Sequence, residues 1–583
     1  MTEHVRIPVP QLPVRRQMPK YKDIREMLDG CAQLYKDESI YIIKTKRETK
    51  TEPAQYRKIS FMEHRQEVSW FGTALMQLGL KGKRLAIIGK NRYEWMLGYY
   101  AFQCGLGIIV PLDKGLPLEE IEMSLDRASA DALLFDKDHL DLVERLKARE
   151  EYKDMLFISM DRLEGYPCVP DLIEQGKNAP KKVQEEFRDL PVDGNALSII
   201  LFTSGTSGLA KAVMLTQYNI THNIWSVLSV EDLRHGDVNM AFLPYHHTFG
   251  STGQAMMSCV GMTSVYCDGL KYVQKNIVEY KVSVFICVPL LIEALYKRVM
   301  QEVEKQGKMK KFNTGVKLSR FLLKLGIDRR RKLFSEIHEK LGGNLRSMVS
   351  GASALDPDCV RGLTDLGINV VQGYGMTEAS PVLAGEDPDH LRIGTIGWSM
   401  PEVTLMVEDP NEEGIGELIA QGPNVMMGYY ENPEATEEIM GDGWLHTGDL
   451  VSLDKDGYIT IRGRRKNVIV LKNGKNIYPE EVEMQIAALP YVVESMVFGE
   501  SRKGEDDKQD LVLSVKLVYD PARMKETRGA EAPEEIEAAV AKDIEELNAA
   551  LPSYKRIYRR YLTTEPMEKT TTGKIKRYKQ RLN

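Results

Sequence analysis

The sequence predicts an α/β fold of doubly wound parallel sheets followed by a small α+β domain. Three observations carry this. Short apolar, β-branched runs alternate with helical patterns from about residue 60 onward. Those runs are continuously apolar, as in strands buried on both faces by crossover helices. After "DKDGYITIRGRRKN" the alternation stops and two long amphipathic patterns take over.

The elements follow in order. "RLAIIG" (84–89) reads as a strand before the helical "YEWMLGYYAFQCGLG", and "GIIVPL" (107–112) as a strand before "PLEEIEMSLDRA". "DALLF", "MLFISM" and "SIILFTSG" continue the strand series. "VSVFICVPLLI" (282–292) is the strongest apolar run. It falls short of the about 20 residues a membrane span needs, and Pro289 suits a strand turning into a helix. Near the C-terminal end, "YPEEVEMQIAAL" starts a helix with Pro479 at its first position and Glu480 and Glu481 in its first turn. "PEEIEAAVAKDIEELNAAL" places Ile536, Val540, Ile544, Leu547 and Leu551 on one stripe. With the strand-like "ESMVFG" and "LVLSVKLV" between them, they form a domain of residues 464–583, separate from 1–463, with "GRRKN" as the joint.

Bulk properties narrow the function. At roughly 150 residues per domain, 583 residues make about three or four structural units. A net charge of -6 gives no basic coat for nucleic acid. Seven scattered cysteines without a C-x-x-C pair read as free thiols in a reducing compartment. The first twenty residues lack the apolar run of a secretory signal, so a cytoplasmic location is expected. The segment 302–341 is rich in lysine and arginine interleaved with Phe312, Leu318, Phe321, Leu322, Leu325, Leu333 and Phe334. A basic amphipathic helix there would suit peripheral contact with an anionic inner membrane surface; a solvated helical insert is the alternative.

Five stretches carry chemistry. "TSGTSGLAK" (203–211) follows a buried strand and concentrates glycine and hydroxyl groups. Gly205 and Gly208 permit close backbone approach to an anion, and Thr203, Ser204, Thr206 and Ser207 add donors. It is not a Walker A loop, because Lys211 stands three residues past Gly208 and not directly after it. "QGYGMTEAS" sets Tyr374 between Gly373 and Gly375, a ring suited to stacking on a base, with Thr377 and Glu378 beyond. A lone carboxylate such as Glu378 suits Mg²⁺, which binds one or two carboxylates plus phosphate oxygens. "GWLHTGDL" offers Asp449 to the hydroxyls of a ribose, "GRRKN" supplies Arg464, and "TTTGKIKR" carries Lys574 in a hydroxyl-rich loop. His246 and His247 in "LPYHHTFG" suggest metal at first sight. Neighbours on a strand face opposite sides and no third ligand is in view, so zinc is not expected.

These stretches, with "GASALDP" and "GRRKNVIVLKNGKNIYPEEVE" in the same order and spacing, resemble the adenylate-forming superfamily of acyl-CoA synthetases, peptide-synthetase adenylation domains and luciferases. The resemblance spans about residues 60 to 580 and is nearest to long-chain fatty acyl-CoA synthetases. It implies a large domain of doubly wound sheets with a small β-barrel-like subdomain, then a mobile C-terminal domain hinged near Lys466. It also implies a two-step reaction: a carboxylate and ATP give acyl-adenylate and pyrophosphate, and a thiol, that of CoA, then displaces AMP. By family position, loop 203–211 holds the β- and γ-phosphates, and Gly351, Ala352 and Ser353 line the adenine and acyl junction. Tyr374 packs on adenine, Thr377 reaches the α-phosphate, Glu378 holds Mg²⁺, and Asp449 and Arg464 hold the ribose. Lys574 bridges carboxylate and α-phosphate, His247 lines the acyl pocket, and Gly474 faces the thiol after the domain swings. Asn467 departs from the aspartate many members carry beside the hinge. An acyl carrier protein as thiol acceptor, an aryl or medium-chain acid as substrate, and a nucleotide-binding scaffold without catalysis are the other readings.

Overall fold

The computed structural model describes residues 4–203, 210–472, 475–502, 511–569 and 574–577. Two doubly wound sheets form the larger part. The seven-stranded sheet runs in the order Gly428–Tyr429, Lys211–Thr216, Leu197–Thr203, Gly107–Pro111, Lys83–Ile88, Ala132–Phe135, Leu156–Ser159. Its strands are parallel except at the Lys211–Thr216 edge, which returns antiparallel to Leu197–Thr203. The physical reason for the continuous apolar runs is visible in Leu85, Ala86, Ile87 and Ile88, all fully buried because helices cover both faces. Polar or alternating residues there would bury unpaired groups.

A nine-stranded sheet lies beside it, with a parallel centre built from Ser347–Ser350, Val284–Cys287, Val238–Ala241 and Thr263–Tyr266. Asn369–Gly375 joins this centre in parallel, then pairs antiparallel with Val382–Gly385. The run around Pro289 resolves as expected: strand Val284–Cys287, then a helix Pro289–Lys305 with proline in its first turn. A third, antiparallel sheet of five strands ends in the hairpin of Leu445–Leu453 with Ile459–Arg464. Beyond the short turn Arg465–Asn467 lie the helices Pro479–Ala487 and Pro533–Ala550 and the three strands Val492–Ser501, Leu511–Tyr519 and Ile557–Thr563. They enclose a core of their own around Val482, Ile486, Val515, Val540 and Ile544.

The basic segment differs from the single helix expected. It is broken into helices Met309–Lys324, Arg330–Leu333 and Ser335–Lys340. Gly307 and Gly326 adopt left-handed φ values of 65° and 74°, which end a right-handed helix at no steric cost. Phe312 and Phe334 pack ring to ring at 5.5 Å, while Leu318, Phe321 and Leu325 remain exposed. All seven cysteines are free, and among the described residues no helix is long and apolar enough to cross a membrane.

Candidate active site

One cleft of about 3850 Å³ collects most of the residues singled out from the sequence: Thr203, Lys211, His247, Gly351, Ala352, Ser353, Gly373, Tyr374, Gly375, Thr377, Glu378, Asp449, Arg464, Lys466 and Lys574 all line it. Ser204, Gly205, Thr206, Ser207, Gly208 and Gly474 lie outside the described residues.

Strand ends build its floor. Asn369–Gly375 carries Tyr374 into the cleft, and the turn Thr377–Ala379 follows at once. Gly375 must be glycine, since a Cβ there would come within 1.9 Å of the Pro381 carbonyl oxygen. A Cβ on Gly351 would meet the Phe249 ring at 2.8 Å. Ala352 next to it holds φ at 76°, a left-handed conformation that costs a non-glycine residue roughly 1–3 kcal/mol. Such strain persists where surrounding packing imposes it, and here it bends Gly351–Ser353 along the cleft wall.

Asp449 and Arg464 face each other across the hairpin, with Arg464 Nε 2.7 Å from Asp449 Oδ1. The Tyr374 hydroxyl donates to Asp449 Oδ2 at 2.5 Å, so the ring lies buried with its polar edge committed. Burial raises the Asp449 carboxyl above its ordinary value, against the pull of Arg464 and the Tyr374 hydroxyl. Glu378 Oε1 accepts a hydrogen bond of 2.9 Å from Tyr429, and Lys211 Nζ sits 4.7 Å above the Tyr429 ring. Tyr429 thus joins the two ends of the phosphate side. Sequence reasoning missed it, because nothing in the spacing of "MMGYYENP" marks one of two adjacent tyrosines.

Lys574 comes to this cleft from the C-terminal lobe. By surface area it is exposed, since the cleft is open. The protein packed around its ammonium still lowers its pKa, with repulsion from Arg464 adding and Asp449 and Glu378 opposing. Its backbone is pinned from both sides: Lys569 pairs with Glu494 at 2.5 Å, and Arg577 pairs with Glu483 at 2.5 Å while also donating to the Val497 carbonyl. Lys466 feels the same surroundings: burial lowers its pKa first, then Arg464 and Lys574. The turn holding Lys466 is tied to both lobes. Arg465 pairs with Glu417 at 2.7 Å, and the Asn467 side chain donates to Glu480 at 2.6 Å.

The histidine pair departs from the expectation. His246 and His247 lie in a turn before the helix Thr248–Cys259, not on a strand, and their rings sit 4.3 Å apart. Asp113 supplies the third group: His246 Nε2 is 3.3 Å from Asp113 Oδ1, and ligand atoms of all three residues lie within 4.8 Å of one another. The absence of a third ligand was a limit of the sequence, where Asp113 stands 133 positions away. Burial, then His246, pushes the His247 pKa down to about 4, so the ring is neutral at pH 7.

Comparison with known proteins agrees with this architecture. The family described as AMP-binding enzyme matches residues 38–430, and the family described as AMP-binding enzyme C-terminal domain matches residues 466–581. A long-chain-fatty-acid–CoA ligase, FadD15, of Mycobacterium bovis is 29% identical over 449 residues, covering 73% of each chain. Long-chain-fatty-acid–CoA ligase 6 of Mus musculus is 27% identical over 477 residues, covering 77% of this chain and 68% of that one. Among solved structures, the anthranilate CoA ligase AuaEII in complex with anthranoyl-AMP superposes with a TM-score of 0.75 at 20% identity, over 96% of this chain and 97% of that one. With its matched region spanning well over half of the sequence, the chain belongs to the AMP-binding enzyme family.

Proposed function

We propose that this protein is an AMP-forming acid–CoA ligase acting on fatty acids. The observation that supports it most is the meeting of Lys574, from the C-terminal lobe, with Asp449, Arg464 and Glu378 in a single cleft. In the first step a carboxylate oxygen attacks the α-phosphorus of ATP. The bond to the pyrophosphate oxygen breaks, giving acyl-adenylate and pyrophosphate. In the second step the CoA thiol, losing its proton, attacks the acyl carbonyl and AMP leaves.

On this reading Asp449 accepts the ribose hydroxyls, oriented by Arg464, and Tyr374 packs on the adenine. Thr377 reaches the α-phosphate, Gly351, Ala352 and Ser353 line the junction of nucleotide and acid, and Lys211 neutralises the departing pyrophosphate. Loop residues Ser204 to Gly208 complete that end. Lys574 offsets the charge that builds between carboxylate and α-phosphate, an effect that grows as bound substrates displace water from the cleft. Glu378 fits Mg²⁺: its Oε1 accepts from Tyr429, among the described residues its other oxygen has no hydrogen bond, and Thr377 and Lys211 line the same cleft. Mg²⁺ bound there would neutralise phosphate charge. His247, neutral at pH 7, bounds the acid pocket without attracting its carboxylate. Residues 1–463 and 464–583 act as two domains that reorient about Lys466 between the steps, bringing Gly474 toward the thiol.

Fatty acids are the proposed substrates because the acid side of the cleft is walled by Phe249, Met256, Met257, Ile286 and Val382, and because the relatives named above carry long-chain fatty acids in their names. Leu318 and Phe321 on the basic helix Met309–Lys324 and Leu325 at its end are exposed, and we assign them to peripheral contact with an anionic membrane surface. The test is pyrophosphate release with acids from acetate to palmitate and with aryl acids, followed by AMP release with CoA or with an acyl carrier protein. Preference for aryl acids would sink the substrate reading. AMP release with carrier protein but not CoA would sink the acceptor.

A further inference from the structure

One part of the cleft wall does not match a purely alkyl substrate. Val227, Leu233, Met256, Met257 and Met400 line it together with a carboxylic acid, Glu231. Glu231 is 8% exposed, and among the described residues its carboxyl has neither a hydrogen bond nor an ion pair. Its Oε1 lies against Gly385, next to the methyl group of Met400. Glu386, the following residue on that strand end, is 1% exposed. One of its oxygens accepts from the Gln372 amide at 2.8 Å, and the other has no partner.

None of the charges near Glu231 pairs with it. Arg15 pairs with Asp387 and Asp389. Arg16 donates to the carbonyl oxygens of Leu228 and Leu233, and its remaining terminal nitrogen is buried without a partner. Asp232 pairs with Arg234 and Arg346. Burial and the nearby Glu386 push the Glu231 carboxyl up to about 8, and burial does the same for Glu386. A buried acid without a partner is costly, and a chain selected only for alkyl tails would gain by replacing it with leucine. Its presence in the cavity wall therefore calls for a ligand group that satisfies it.

We propose that Glu231, backed by Glu386, recognises the distal end of the acyl substrate, and that the chain selects fatty acids bearing a hydrogen-bond donor there, a hydroxyl or an ammonium group, over plain alkyl acids. This rests on the fatty acid reading above and narrows it. A site built to hydrogen-bond a substrate group discriminates strongly against the analogue that lacks it, because its own polar atoms are then left unpaired.

The experiment compares unsubstituted, ω-hydroxy and ω-amino acids of matched length, from eight to sixteen carbons, on the full chain. Two readouts are taken: kcat/KM for pyrophosphate release, and direct calorimetric binding of each acid. The expected result is a preference of about 10-fold or more for a donor-tipped acid at one chain length. Glu231→Leu should reverse that preference, and Glu231→Gln should keep the hydroxyl arm while losing the ammonium arm. Both variants should keep the wild-type KM for ATP, which reports an intact fold. Equal or better use of the plain acid at every length overturns the proposal, as does a preference that Glu231→Leu leaves unchanged. If no acid releases pyrophosphate, the ligase reading falls, and the binding series still decides whether Glu231 reads a distal donor.

Discussion

Negative charge accumulates between carboxylate and α-phosphate as adenylation proceeds, and on the proposed mechanism Lys574, a cleft-lining cation of the C-terminal lobe, offsets it. Lys574→Ala should lower acyl-adenylate formation by about 100-fold or more, a few kcal/mol at the transition state. Thiol transfer from pre-made acyl-adenylate should be largely retained, because the proposed swing about Lys466 would take Lys574 out of the cleft. Equal loss in both half-reactions would remove its assignment to the first step. Tyr429 has a different task. Its hydroxyl holds Glu378 Oε1 and its ring lies under Lys211, so Tyr429→Phe should raise the Mg²⁺ and ATP concentrations needed for half-maximal rate while kcat changes by less than about 10-fold. An unchanged Mg²⁺ titration would leave Tyr429 as packing alone. Glu231 gives a pH signature. Its pKa is raised by burial and by Glu386 to about 8 in the fold, above the ordinary carboxyl value of 4.5. The stability this protonated group retains below pH 4.5 is lost as pH rises toward 8, by at most roughly 1.4 kcal/mol per pH unit. Glu231→Gln should therefore gain stability relative to the parent progressively from pH 5 to 8 in urea unfolding. A pH-independent difference would contradict the raised pKa.

At the scale of elements, the position of Lys574 depends on two anchors away from the chemistry. Lys569 to Glu494 and Arg577 to Glu483 fasten the two ends of its loop to the C-terminal sheet and to the helix Pro479–Ala487. Glu483→Gln keeps the shape and removes the charge. It should reduce adenylation kcat more than it raises the KM for ATP, with folding intact by calorimetry, since partly buried ion pairs position more than they stabilise. The helix Met309–Lys324 makes a separate prediction. Lysines and the exposed Leu318, Phe321 and Leu325 share a segment packed on the body through Arg320 to Asp365 and the Phe312 and Phe334 rings. Vesicles containing anionic lipid should retain the protein in flotation, vesicles of neutral lipid should not, and Phe321→Asp with Leu325→Asp should abolish retention without changing turnover of a water-soluble acid. Retention unaffected by lipid charge would favour a solvated insert.

For the whole molecule, the turn Arg465–Asn467 is the narrow connection between two separately cored bodies, one around the two large sheets and one around Val482, Val515 and Val540. It is fastened to one side through Arg465 and Glu417 and to the other through Asn467 and Glu480. If the protein alternates about Lys466, Lys466→Pro should restrict φ there and slow thiol transfer far more than adenylation. Loss of adenylation alone would place the pivot elsewhere.

Much of this was legible in one dimension. Continuous apolar runs such as Leu85 to Ile88 report strands covered on both faces whatever their neighbours, and Pro479 and Pro289 mark helix starts through their own geometry. The ordered motifs likewise supplied residues that the cleft brings together, Glu378, Asp449 and Lys574 among them, because each motif is a matter of side-chain chemistry local to a few residues. What the sequence by itself determined was therefore the fold class and the residue types available to the proposed site. Tertiary structure alone decided which groups meet. Asp113 reaches His246 across 133 positions, Tyr429 joins Glu378 to Lys211, Arg577 steadies Lys574 through Glu483, and Glu231 is left unpaired in an apolar wall. Such pairings depend on distances set by packing between separate elements, and residue order along the chain carries no direct record of them.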